Sequence, residues 1–163
     1  MHDSFETVEE CLGEVMSNLE KIAQTYVGTP HINGGNVKGA GLDCCTLVTS
    51  LYREAGIIDV TMPTGYANDW YCRKNHEEYI LAYLEKYCER VHELREGDLI
   101  SYRWGRSDYA HMAVYLGRGR IIHSEADGGT SITDLTDPKL YDHTGKNRVT
   151  GYWRLKDGII PRK

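Results

Sequence analysis

The sequence predicts an α+β fold, with N-terminal helices packed on a central antiparallel β-sheet, over 1–163 as one domain. Three observations predict it. Apolar residues recur at helical spacing in the first half of the chain, short alternating runs fill the part after Asp98, and 163 residues with 40% hydrophobic content suit one core.

The elements follow in order. Thr7 to Gln24 reads as a helix, with Val8, Cys11, Leu12, Val15, Leu19 and Ile22 on one stripe. Gly28 to Asp43, GTPHINGGNVKGAGLD, has no periodicity and reads as a long ordered loop, a kind of segment that is usually functional. A second helix is expected from Cys44 to Ala55, with Asp43 as N-cap and Gly56 as the stop. Thr61 to Trp70 is irregular, and Glu77 to Glu89 reads as a third helix. Strands are expected at Asp98–Tyr102, Ala110–Leu116, Arg120–Ser124, Thr130–Asp134 and Val149–Trp153.

Composition narrows the function. A net charge of −5 argues against nucleic acid as the main ligand, because phosphate binding needs clustered Lys and Arg. Mean hydropathy is −0.51, and no apolar run reaches the roughly 18 residues that span a membrane. The opening MHDSFETVEECLGEVM is acidic and lacks an apolar core, so no signal peptide is expected. Five irregularly spaced cysteines fit free thiols better than a disulfide scaffold, and without a CxxC pair a structural zinc is poorly supported.

The chemistry gathers at two places. In GLDCCTLVTSLYREAG, a cysteine in the first turn of a helix sits at the positive end of the helix dipole, which favours the thiolate. The unpaired N–H groups there can also hold an oxyanion. Leu47, Val48, Leu51, Tyr52 and Ala55 continue the stripe that Cys44 heads, whereas Cys45 is turned by about 100°. Cys44 is therefore the candidate nucleophile. In AHMAVYLGRGRIIHSEA, two strand-like runs flank Gly117-Arg118-Gly119. A turn centred on Gly117 sets His111 directly opposite His123, on one face. Two imidazoles beside a thiol supply a base and a group that orients it. Two plainer readings stand beside this one: satisfied core histidines, or a metal site shared with Cys44.

These segments resemble the NlpC/P60 family of papain-like cysteine peptidases. The resemblance rests on YVGTPHINGG, GLDCCTLV, REGDLISYRW, HMAVYLGRGRIIHSE and the closing GYWRL, and covers most of the chain after Ala23. GYANDWYCRKNHEEY and SYRWGRSDYAH look closest to its phage-tail and prophage branch. The resemblance implies a papain-like fold and hydrolysis of amide bonds in peptidoglycan stem peptides, often next to D-glutamate. It implies Cys44 as nucleophile, His111 as base, His123 as the third polar residue, and no metal or cofactor. Asp43, Cys45 and His31 are then substrate-binding candidates, with Asp43 able either to cap the helix or to pair with a substrate amine. Two departures stand out: Cys45-Thr46 replaces Ser-Gly, and His31 replaces an aromatic Tyr. Expected partners are the stem peptide and phage-tail proteins, with delivery to the cell wall from the cytoplasm by a tail particle. The alternatives are a catalytically silent phage-tail module and a thiol acyltransferase. Cysteine before histidine favours the peptidase.

Overall fold

The computed structural model describes residues 17–57 and 60–157. Helix α1 (Asn18–Gln24) leads to a small ribbon of β1 (Asn36–Val37) and β2 (Gly41–Leu42), and then to helix α2 (Cys44–Glu54). A 3₁₀ turn (Trp70–Cys72) precedes helix α3 (Tyr79–Tyr87). The strands follow: β3 (Cys88–Val91), β4 (Leu99–Trp104), β5 (Ser107–Gly117), β6 (Arg120–Glu125), β7 (Gly129–Asp134) and, after a second 3₁₀ turn (Pro138–Leu140), β8 (Val149–Leu155). The expected α+β architecture is present. Strands β3 to β8 form one antiparallel sheet in the order β3-β8-β4-β5-β6-β7.

Helix α2 starts where a side chain can close its first turn. Asp43 is extended (φ −105°, ψ −177°) and its Oδ1 accepts the N–H groups of Cys45 and Thr46, each at 2.9 Å. Thr46 Oγ1 returns the bond by accepting from the Asp43 N–H at 2.8 Å. This reciprocal cap explains why threonine suits the third helical position.

Helix α1 is shorter than expected. Ser17 is extended (φ −65°, ψ 164°) and accepts the Glu20 N–H through its hydroxyl, so the helix starts at Asn18. Thr7 to Met16, with Cys11, lies outside the described residues. Glu20 is buried and binds Arg118, at 2.6 Å, and Arg120, tying α1 to the β5–β6 hairpin. Helix α3 also stops early. Cys88 turns extended (φ −127°, ψ 164°), and Cys88–Val91 pairs with β8 instead of adding a turn, with the charged Glu89 and Arg90 exposed.

The sheet is buried on both faces. Met112, Val114 and Ile122 pack in one cluster with Leu47, Val48 and Leu51 of α2. Ile100, Tyr102, Ala113, Ile121 and Leu140 form a second cluster. The alternation along β4, β5 and β6 makes this division possible. Two of the motif segments have structural jobs. Asp98 is buried and accepts from Arg154 through both oxygens, at 3.0 and 2.8 Å, and from the Arg95 N–H at 2.7 Å. The GYWRL and REGD segments thereby lock β8 to the start of β4.

Candidate active site

A cleft of about 280 Å³ opens where the N-terminus of α2 meets β5 and β6. The Gly28–Asp43 loop forms one side of it. That loop is stitched down by Gly28 N–H to Thr130 O, Leu42 N–H to Pro30 O and Ile32 N–H to Leu42 O. Within it Gly34 is left-handed (φ 75°), and a Cβ on Gly35 would lie 2.7 Å from Gly41 O. His31, Asp43, Cys44 and His111 all line the cleft, together with Glu125 and an aromatic group of Tyr66, Trp70, Tyr71 and Trp104.

The two histidines meet, though by a different register from the expected one. Arg118 (φ 53°) and Gly119 (φ 75°) are both left-handed, so they form a two-residue hairpin turn with Gly117 opposite Arg120. Past the turn the pairing shifts, and Tyr115 faces Ile121 and Val114 faces Ile122. Leu116 is the extra residue of a β-bulge. Continuing that register sets His123 beside Ala113 and His111 beside Glu125. The histidines are therefore diagonal neighbours on one face, not directly opposite. His111 Nε2 lies 2.9 Å from His123 Nδ1. A second irregularity, between Trp104↔Ser107 and Tyr102↔His111, re-aims β5 just before His111.

Burial sets the charge of these rings. It holds His111 well below the ordinary imidazole range, with His123 and His31 adding to the effect, and it lowers His123 to about 4. Both are neutral near pH 7. The bond between them occupies Nε2 of His111, so the ring nitrogen left to act on another group is Nδ1.

His31 is held by Ser124. The Ser124 hydroxyl donates to Leu42 O at 3.0 Å, so the 2.9 Å contact with His31 Nδ1 has the imidazole N–H as donor. Burial lowers His31 as well. A neutral His31 therefore keeps Nε2 as an acceptor, where a tyrosine would offer a hydroxyl.

Two expectations are corrected. Cys45 does not reach the cleft. Its thiol is wholly buried, 3.9 Å from that of Cys44, and burial followed by the neighbouring thiol pushes it well above the usual range. Beside the cleft-facing Cys44, the first turn of α2 is buried through Cys45, Thr46 and Leu47, so a 100° rotation leads into the core rather than toward a substrate. The supply of N–H groups for an oxyanion is also smaller than expected. Those of Cys45 and Thr46 are spent on Asp43, leaving the Cys44 N–H for that task.

Asp43 does more than cap. Its Oδ2 accepts the Gly34 N–H at 2.8 Å and the Tyr66 hydroxyl at 3.0 Å, so both carboxylate oxygens are engaged. Tyr66 and Asn33 were not legible as cleft residues, because they come from segments without periodicity. Asp43→Asn places an amide NH₂ against two donors whichever way it turns. The expected cost is about 1.5–3 kcal/mol, the range for hydrogen bonds to charged groups. At this size that is a fall in Tm of roughly 3–12 °C. Thermal unfolding checks it, and an unchanged Tm would show that the Gly34 and Tyr66 bonds contribute nothing.

Residues 28–149 match the NlpC/P60 family. The chain belongs to the NlpC/P60 family. It is 26% identical over 145 residues to the gamma-DL-glutamyl hydrolase of Bacillus subtilis (strain 168), covering 86% of this chain and 30% of that protein. It is 31% identical over 134 residues to the murein DD-endopeptidase MepH of Escherichia coli (strain K12), covering 80% and 44%. It is 26% identical over 127 residues to the tail tip assembly protein K of Escherichia phage lambda, covering 77% and 59%. The chain thus spans less than two thirds of each of these relatives. The crystal structure of an NlpC/P60 family protein from Bacillus cereus (ATCC 10987) matches its fold with a TM-score of 0.58 at 23% identity, covering 88% of this chain and 40% of that one. As an NlpC/P60 domain, this chain shares its family with proteins named as hydrolases and with one named for tail assembly.

Proposed function

We propose that this NlpC/P60 domain is a cysteine peptidase that hydrolyses amide bonds in peptidoglycan stem peptides. One observation carries the reading: Cys44, at the start of α2, and His111, with its Nε2 held by His123, face a common cleft. His111 Nδ1 takes the thiol proton as Sγ attacks the scissile carbonyl carbon. The Cys44 N–H supports the oxyanion. The tetrahedral species collapses to a thioester as His111 gives its proton to the leaving amine. Water, deprotonated by the same imidazole, then adds to the thioester and releases the acid and the thiol.

The lining supports a substrate bearing an amine. Asp43, Glu125 and Asp127 line the cleft, and among the described residues no Lys or Arg does. A substrate ammonium would reach the Asp43 charge by taking the place of the Tyr66 hydroxyl. The similarity to a murein DD-endopeptidase supports a peptidoglycan peptide as substrate, and that to a gamma-DL-glutamyl hydrolase supports an amide next to a glutamyl residue.

The similarity to a tail tip assembly protein favours a second reading, a domain that serves a phage tail structurally without turnover. Incubation with purified free-amine muropeptides and, separately, with intact peptidoglycan sacculi distinguishes them, with products read by mass. Cleavage of muropeptides at an amide next to D-glutamate is expected. Cleavage of sacculi alone would reject the free-amine substrate, and cleavage of neither would replace the peptidase reading with the structural one.

A further inference from the structure

We infer that Glu125 is a positioning residue that fixes the tautomers of both histidines, so that His111 turns a lone pair rather than an N–H toward the cleft. The inference rests on the reading of His111 as the base. A single hydrogen lies between His111 Nε2 and His123 Nδ1, and either ring can own it. If His123 owns it, His111 must carry its own hydrogen on Nδ1, and it cannot accept a thiol proton there. If His111 owns it, Nδ1 is free to accept. Nothing within the pair decides between these states.

The deciding atom is the far nitrogen of His123. That residue is wholly buried, and its Nε2 has no aligned hydrogen-bond partner. It lies 3.2 Å from Glu125 Oε1, the nearest carboxylate oxygen recorded for it, off the line of a good bond. A carboxylate only accepts. It therefore favours a hydrogen on His123 Nε2, leaves His123 Nδ1 as an acceptor, and gives the shared hydrogen to His111 Nε2. The order runs Glu125, His123, His111, with the lone pair emerging at His111 Nδ1. The fold supports this sequence, because alternation along β6 puts His123 and Glu125 on one face and the β5–β6 register brings Glu125 beside His111.

The surroundings of Glu125 are mixed in charge. Burial pushes the Glu125 carboxyl above its ordinary range, Lys139, with Nζ 4.0 Å from Oε1, opposes this, and Asp137 and Asp127 add to it. Both rings stay neutral because burial keeps them so. Glu125 thus sets which nitrogen of each ring carries the hydrogen, without making either ring a cation.

The test reads tautomers directly. In ¹⁵N-histidine-labelled protein at pH 7, long-range proton–nitrogen correlation spectra are assigned with His111→Gln and His123→Gln. In the unaltered chain both rings are expected to carry hydrogen on Nε2 and none on Nδ1. In Glu125→Ala that bias is lost, so a substantial fraction of His111 is expected to carry its hydrogen on Nδ1, and alkylation of Cys44 by iodoacetamide to slow about two- to tenfold. Glu125→Gln keeps an acceptor oxygen, so it is expected to preserve the tautomers and hold alkylation within about threefold. A His111 Nδ1 hydrogen in the unaltered chain overturns the inference, as do unchanged tautomers in Glu125→Ala. The first result needs no variant, so it stands even if Glu125→Ala fails to fold. No readout depends on hydrolysis. Unchanged tautomers in Glu125→Ala leave the reading of His111 as base intact, a His111 Nδ1 hydrogen in the unaltered chain removes that base as well, and inertness toward muropeptides leaves the tautomer result intact.

Discussion

Cys44→Ser is expected to lower turnover of a stem-peptide substrate by at least about 10³-fold, because an alcohol is a far weaker nucleophile in a site built for a thiol. The replacement is nearly isosteric at the first helical position, and the cap made by Asp43 and Thr46 does not involve the sulfur. The melting curve should therefore stay close to that of the unaltered chain, which separates loss of chemistry from loss of fold. The reactivity of the thiols gives an independent check. Cys45 and Cys88 are buried, with Cys88 pushed up to about 12 by burial, so limiting iodoacetamide at neutral pH should leave both unmodified. Cys72 is exposed and open to the reagent, while modification of Cys44 should track the loss of activity. Inactivation that tracked Cys45 instead would overturn the assignment.

His111→Ala is expected to cost about 10²- to 10⁴-fold in kcat, the usual range for removing a positioned base. His123→Ala should cost less, because water can partly take the place of a group that only orients. The pH profile adds a sign. His111 acts as base in its neutral form, and burial lowers its pKa, so the acid limb of kcat/KM should fall below the ordinary imidazole value of about 6.5. His111→Ala with more than a tenth of the original kcat would remove the base from this residue. An acid limb at or above 6.5 would mean that another group governs it.

The sequence and the structure agree most closely where one local rule decides the outcome. Asp43 caps and the stripe from Leu47 to Leu51 buries, so α2 begins and packs as expected. The later strands were legible from alternation, and the family from its spaced motifs. The misses come from competition between local rules and distant partners. Ser17 caps α1 because its hydroxyl accepts the Glu20 N–H, a start that periodicity does not report. Cys88–Val91 becomes a strand because β8 offers it a partner. The β1–β2 ribbon pairs two residues with two, too few to leave a pattern. In the site, Cys44 and the two histidines could be picked from residue type and spacing. The burial of Cys45 could not, since it depends on what covers α2 from the other side. Glu125 also escaped notice, because a carboxylate next to a surface turn reads as solvated until the fold sets it against His123.

The bulge at Leu116 gives the β5–β6 hairpin something like a reading frame, with a period of two. Gly117 opposite Arg120 sets one frame at the tip, and the extra residue switches to the other before His111 is reached. Residues gained or lost in twos keep both rings on one side. While the turn and the bulge keep their form, the hairpin is thus free to lengthen over time only in even steps, and a copy slipped by one residue would lose the facing imidazoles. Paired indels at this tip are the mark that selection on the imidazoles, rather than on the sheet, would leave among related chains.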